Sequence, residues 1–107
     1  MTVPVNPQTF TITDPSITAD NVTGFRVLFS QTSGGPYTIP VTVPPADIDA
    51  AAGTVTGKVS DLNAQLSPGP WFAVAEAVNA AGDSPNSPEA ELIVLPLPKA
   101  PTAFIFA

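Results

Sequence analysis

The chain of 107 residues has no cysteine and no histidine. Without cysteine there is no disulfide, no thiolate metal site and no thiol nucleophile. Without histidine the commonest general base and the commonest metal ligand are gone. Serine and cysteine triads cannot be assembled from what remains, and zinc, copper and iron lose their preferred ligands. Charge is also scarce, at 11% of residues, with only three bases (Arg26, Lys58 and Lys99) against nine acids and a net charge of −6. Three bases cannot neutralise a run of phosphates, which argues against nucleic-acid binding through the backbone and against docking on anionic membranes. No apolar run approaches the ~20 residues a spanning helix needs, and no basic segment followed by an apolar run comes after Met1. The expectation is either a complete protein made in the cytoplasm or a fragment of a secreted one.

Carboxylates are the remaining candidates for chemistry. Glu89 and Glu91 lie two apart in a strand-like run, so they share a face, and that face reads as solvated. Asp47 and Asp49 fall in a loop, with Asp61 elsewhere; a calcium ion needs six or more oxygens, and no EF-hand spacing supplies them. No glycine-rich phosphate loop is present. The triplet Asn21-Val22-Thr23 fits a glycosylation sequon, a pattern short enough to recur by chance. No catalytic, cofactor-binding or metal-ligating residue is assigned, and no cofactor is expected.

The chain is instead rich in proline, with 14, and the prolines are scattered so that few windows could hold an uninterrupted helix. Between them lie short runs of Val, Ile, Thr and Phe, the pattern of strands and turns. The alternation predicts strands over Thr9–Thr13, Gly24–Ser30, 37–43, 54–59, 71–79 and 89–95. Pro40 marks residues 37–43 as an edge strand or a bulge. Ser33-Gly34-Gly35-Pro36, Ser67-Pro68-Gly69-Pro70 and Ala80-Ala81-Gly82-Asp83 read as turns. Residues 46–52 (ADIDAAA) are the one helix-prone stretch, good for a turn or two before Gly53. Six or seven strands at this spacing point to an all-β, two-sheet antiparallel β-sandwich. Its core is expected from Phe10, Ile12, Phe25 or Val27, Phe29, Val55, Leu66, Trp71, Ala73, Ala75 and Ile93, with the small residues Ala73, Ala75 and Ala77 leaving room for the aromatics.

The segment from Leu66 through Pro68-Gly69, Trp71 and Ala77-Val78-Asn79 to Gly82 and Ser84 resembles the E–F corner, F strand and F–G turn of fibronectin type III domains. Gly24-Phe25-Arg26-Val27 with Gly35-Pro36-Tyr37 is similar to that family's C strand and the turn after it. The resemblance implies a fibronectin type III-like, immunoglobulin-like sandwich over residues 8–95, between an extended N-terminal arm (1–7) and a proline-rich C-terminal arm (96–107). There are departures. Trp71 or Phe72 stands where the family has its corner tyrosine, so the hydroxyl bond to the backbone is lost or replaced. Phe10 and Ile12 lie where the B-strand tryptophan is usual, and there is no RGD motif.

The C-terminal arm ends in Phe104, Ile105 and Phe106 after a spacer holding Pro96, Pro98 and Pro101. An apolar, β-prone end is expected either to fold back on its own domain or to dock on a neighbour, and these three residues are the candidate partner-binding set. Together with the absent chemistry, the arm points to a non-enzymatic structural or interaction protein. The expected partners are protein subunits of a larger assembly, or further copies of itself, with no nucleic acid and no membrane. Bacteriophage capsid and tail proteins often use such domains, which gives the expectation of a virion decoration or tail subunit made in the host cytoplasm. The alternative is a binding or spacer module of a larger secreted bacterial enzyme or adhesin, extracellular and with carbohydrate as a ligand class.

Overall fold

The computed structural model describes residues 3–62 and 65–106. Their strands are β1 (Thr9–Thr13), β2 (Gly24–Ser30), β3 (Ile39–Thr42), β4 (Ile48–Asp49), β5 (Thr54–Lys58), β6 (Gly69–Asn79), β7 (Gly82–Asp83) and β8 (Ala90–Val94). Two short 3-10 turns, Pro45–Asp47 and Val59–Leu62, are the only helical elements among the described residues. The strands form two antiparallel sheets, one ordered β1-β5-β4 and the other β3-β2-β6-β7, with β8 also paired to β6. The chain is therefore all-β with two antiparallel sheets.

β6 organises the larger sheet. It pairs with β2 along seven positions and with β8 along five. The register explains the alternation of side-chain size: Phe25 lies opposite Ala77, Val27 opposite Ala75 and Phe29 opposite Ala73. Each large side chain on β2 thus faces a small one on β6, and the face fills without overpacking. Phe25, Val27, Phe29, Trp71 and Ala73 form one core cluster with Val55 of the smaller sheet.

The core differs from the sequence expectation in three ways. Phe10, Ile12, Leu66 and Ala75 are only half-buried. Ile93 faces away, because the pairing of Leu92 with Trp71 and of Val94 with Gly69 turns Leu92 and Val94 inward. Ile17, Val43 and Leu62 are core residues outside the expected set, and of the three only Val43 lay in an expected strand run.

The helix expected over 46–52 does not form. Pro45–Asp47 makes one 3-10 turn, Ile48 then pairs with Val55, and the Asp49 carboxylate accepts the Ala52 N–H at 3.1 Å in a turn instead. Ala50, Ala51 and Ala52 are exposed, so a helix there would have buried no apolar stripe. The turn closes on Gly53, which is buried at φ +69°, and a Cβ there would stand 3.1 Å from the Asp14 carbonyl oxygen.

Two edges are finished by irregular means. Pro40 sits in β3, which pairs only with β2 and is an edge strand, as its sequence requires. Between β7 and β8, Pro85 and Pro88 cannot donate to a ladder. The hydroxyl of Ser84 accepts the Ala77 N–H and that of Ser87 accepts the Ala75 N–H, both at 2.9 Å. The two Ser-Pro steps thereby satisfy β6 amides that a regular strand would have bonded.

Candidate functional site

The Trp71 corner comes first, because it fixes β6. Trp71 is 6% exposed, and its indole N–H donates to the Ser67 carbonyl at 2.7 Å, across the Pro68-Gly69-Pro70 turn. The side chain is core rather than an open platform. The indole N–H, the polar end of an otherwise buried side chain, thus closes the corner before β6.

A second polar cluster ties the β2–β3 turn to the start of β8. The Glu89 carboxylate accepts the Gly34 N–H at 2.7 Å, the Tyr37 hydroxyl at 2.6 Å and the Ser33 hydroxyl at 2.7 Å. The Gly34 amide, then the two hydroxyls, hold the Glu89 carboxyl below its ordinary value of 4.5, and donation to Glu89 raises the Tyr37 phenol above 10.0. A depressed carboxyl stabilises the fold above the ordinary value and loses that contribution as pH falls through the depressed one. A raised phenol contributes below its ordinary value and loses that as pH rises through the raised one. Glu89→Ala is therefore expected to destabilise at neutral pH and to converge with wild type on acidification below pH 4.5. Chemical denaturation at a series of pH values checks this; a gap that stays constant with pH would refute it. The cluster works as a clasp between the two segments. Glu91, expected as its face partner, is exposed in β8, whereas Glu89 precedes that strand.

Several of the remaining acids have partners within the fold, whereas the buried Asp47 Oδ2 has no hydrogen-bond partner among the described residues. Arg26 pairs with Glu76 at 3.0 Å and with Asp83 across the outer face of the larger sheet. Asp49 caps its turn, and Asp61 accepts the Lys58 N–H at 3.4 Å. Among the described residues no three acids converge as metal ligands would.

Two apolar features are left. The first is the C-terminal arm. Phe104, Ile105 and Phe106 are 81%, 85% and 88% exposed, and Leu97 is more exposed still. The rings of Phe104 and Phe106 meet edge to face, 5.0 Å between centroids. Of the two expected fates of the arm, folding back is not what the structure adopts: every described residue from Leu95 onward is exposed. Twelve residues at about 3.1 Å each span about 37 Å. The molecule measures 67 × 29 × 26 Å, an excess along one axis that such an arm accounts for.

The second feature is an open groove of about 430 Å³ between the sheets, on the side where β1 and β8 are the outer strands. Phe10, Ile12, Val27, Phe29, Ala73 and Ala75 line its interior. This is why Phe10 and Ile12 are half-buried although they point inward. The residues before β1 do not cover the groove by pairing with that strand. They bond to β8 instead: Ile93 N–H donates to Pro4 at 2.9 Å, Asn6 N–H to Ile93 at 2.8 Å, and Leu95 N–H to the Asn6 side chain at 3.0 Å. Residues 4–6 are thus docked on β8, whereas the described residues of the C-terminal arm project.

Among the described residues β1 consequently has one free edge. Bonds from Asp14 to Gly53 and from Val59 to Gln8 fix which positions face β5. By the alternation of an antiparallel ladder, Phe10 and Ile12 bond to β5, and the backbone groups of Thr9, Thr11 and Thr13 point outward.

No family model, no curated protein and no solved structure matches the chain.

Proposed function

We propose that this chain is a non-enzymatic structural subunit, a fibronectin type III-like sandwich that docks on neighbouring subunits of a larger assembly through its C-terminal arm. The carrying observation is the arm itself: Phe104, Ile105 and Phe106 stand exposed on a proline-stiffened spacer. An apolar segment so placed lowers solubility unless a partner covers it. The strand order supports the fold reading. β1-β5-β4 follows the B-E-D order of an immunoglobulin-like sheet, and β2-β6-β8 follows the C-F-G order of the facing one. The assembly that best fits a small, weakly charged sandwich with such an arm is a bacteriophage virion, as a capsid decoration or tail subunit. That step rests on analogy of fold.

The test is particle composition. Virions purified from a lysate of cells expressing the chain with its neighbouring genes should contain it in many copies, by mass spectrometry. A variant lacking residues 102–107 should fold and be lost from the particles. Unchanged incorporation of the truncated chain overturns arm docking. Recovery only as part of a longer secreted polypeptide replaces the reading with that of a spacer or binding module.

A further inference from the structure

The arm and the groove are complementary, and we infer that the arm of one copy adds a strand to the free edge of β1 in a second copy. This rests on the arm-docking reading above and names its partner. In an immunoglobulin-like sheet ordered A-B-E-D, β1 holds the B position. Among the described residues no strand pairs at the A position beside it: residues 4–6 run along β8, with Pro4 and Pro7 at the lining of the groove.

Four features identify the occupant as a second copy's arm. The first is pattern. Phe104 and Phe106 are two apart and project to the same side of an extended chain, and their rings already touch. A strand added at β1 would direct that side between the sheets, over the small side chains of Ala73 and Ala75. The second is length. β1 is five residues, and the segment 102–107 is six, so one matches the other at about 3.4 Å per residue. The third is charge. The arm carries Lys99 and none of the nine acids, whereas the rest of the chain carries all nine, including Glu91 on the groove rim. The fourth is reach. Three prolines and no glycine lie between Val94 and Phe104, so the spacer is stiff and carries the aromatic end away from its own groove. A backbone ladder at Thr9, Thr11 and Thr13 would supply affinity, and the two phenylalanines register, as in other strand additions. The contact is heterologous, so it propagates as a ring or filament rather than stopping at a symmetric pair.

Two variants separate the halves of the contact. Phe104→Ala/Phe106→Ala alters only exposed side chains and leaves the groove intact. Thr11→Pro removes an outward-facing N–H from β1 and no bond to β5, so it blocks the edge while leaving the arm intact. Sedimentation equilibrium of the full chain should show a mass that rises with concentration. Each variant alone should remain a monomer with an unchanged circular dichroism spectrum. An equimolar mixture of the two should form a heterodimer and go no further, since it holds one working arm and one working edge. A wild-type chain that stays monomeric at millimolar concentration overturns the inference, as does association that survives either variant. Should Thr11→Pro fail to fold, a synthetic peptide of residues 96–107 decides instead. Titrated into the Phe104→Ala/Phe106→Ala chain, it should shift the amide resonances of Thr9, Thr11 and Thr13 and slow their hydrogen exchange; no shift there overturns the inference. If purified virions require residues 102–107 while the isolated chain stays monomeric and ignores the peptide, the arm docks on a different subunit: the inference falls and the functional reading stands.

Discussion

Trp71→Ala is expected to lower the free energy of unfolding by about 3–5 kcal/mol, the usual cost of deleting a large buried aromatic. For a domain of this size, total stability is about 5–15 kcal/mol, so much of the population would unfold under mild denaturant. The effect has two separable parts. One is the packing of the indole, which sits in the core cluster beside the β6–β8 seam, opposite Leu92. The other is the N–H bond to the Ser67 carbonyl, which holds the corner before β6. Trp71→Phe keeps most of the ring and loses the bond, and should cost about 1–3 kcal/mol. Guanidinium denaturation followed by far-ultraviolet circular dichroism measures both, since the variants lack the only tryptophan. Equal losses in the two variants would make the corner bond the dominant part. A loss under about 1 kcal/mol for Trp71→Ala would contradict the burial of this residue.

The strands with strict alternation were legible in the sequence. β1 and β2 carry the bounds the pattern gives, because in each the side chains alternate between a more and a less buried face. Parity failed at β8, where Leu92, Ile93 and Val94 are all apolar and period two gives no preference. Only pairing with β6, a long-range fact, turns Ile93 outward. Ile17 and Leu62 failed for a related reason: each is a single apolar residue outside any strand run, and it is buried by what lies across from it. The arm was legible as an apolar end, since that is a property of consecutive residues. The groove was not. It exists because residues 4–6 choose β8 over β1, and nothing local in Val3-Pro4-Val5-Asn6 distinguishes these two edges.

The pairing of β2 with β6 makes the second large prediction. Phe29 lies directly opposite Ala73, on the same inward face, and both are buried. Phe29→Ala should therefore cost about 3–5 kcal/mol, since two facing alanines leave a void the neighbours cannot close. Ala73→Phe alone should also destabilise, by about 1–3 kcal/mol, because two facing phenylalanines overfill the same layer. The double variant Phe29→Ala/Ala73→Phe keeps the summed volume and moves the ring from one strand to the other. Its loss should be smaller than the sum of the single losses by at least about 1 kcal/mol, the coupling expected of side chains in contact. Denaturation of the four proteins closes the cycle. Strict additivity would mean that the two positions do not share a layer, and the register drawn for β2 and β6 would be wrong by at least one residue. A one-residue slip moves every inward side chain to the opposite face, so the same four measurements test the placement of Phe25, Val27 and Trp71 as well. They also test the floor of the groove, because Ala73 and Ala75 line it only in this register.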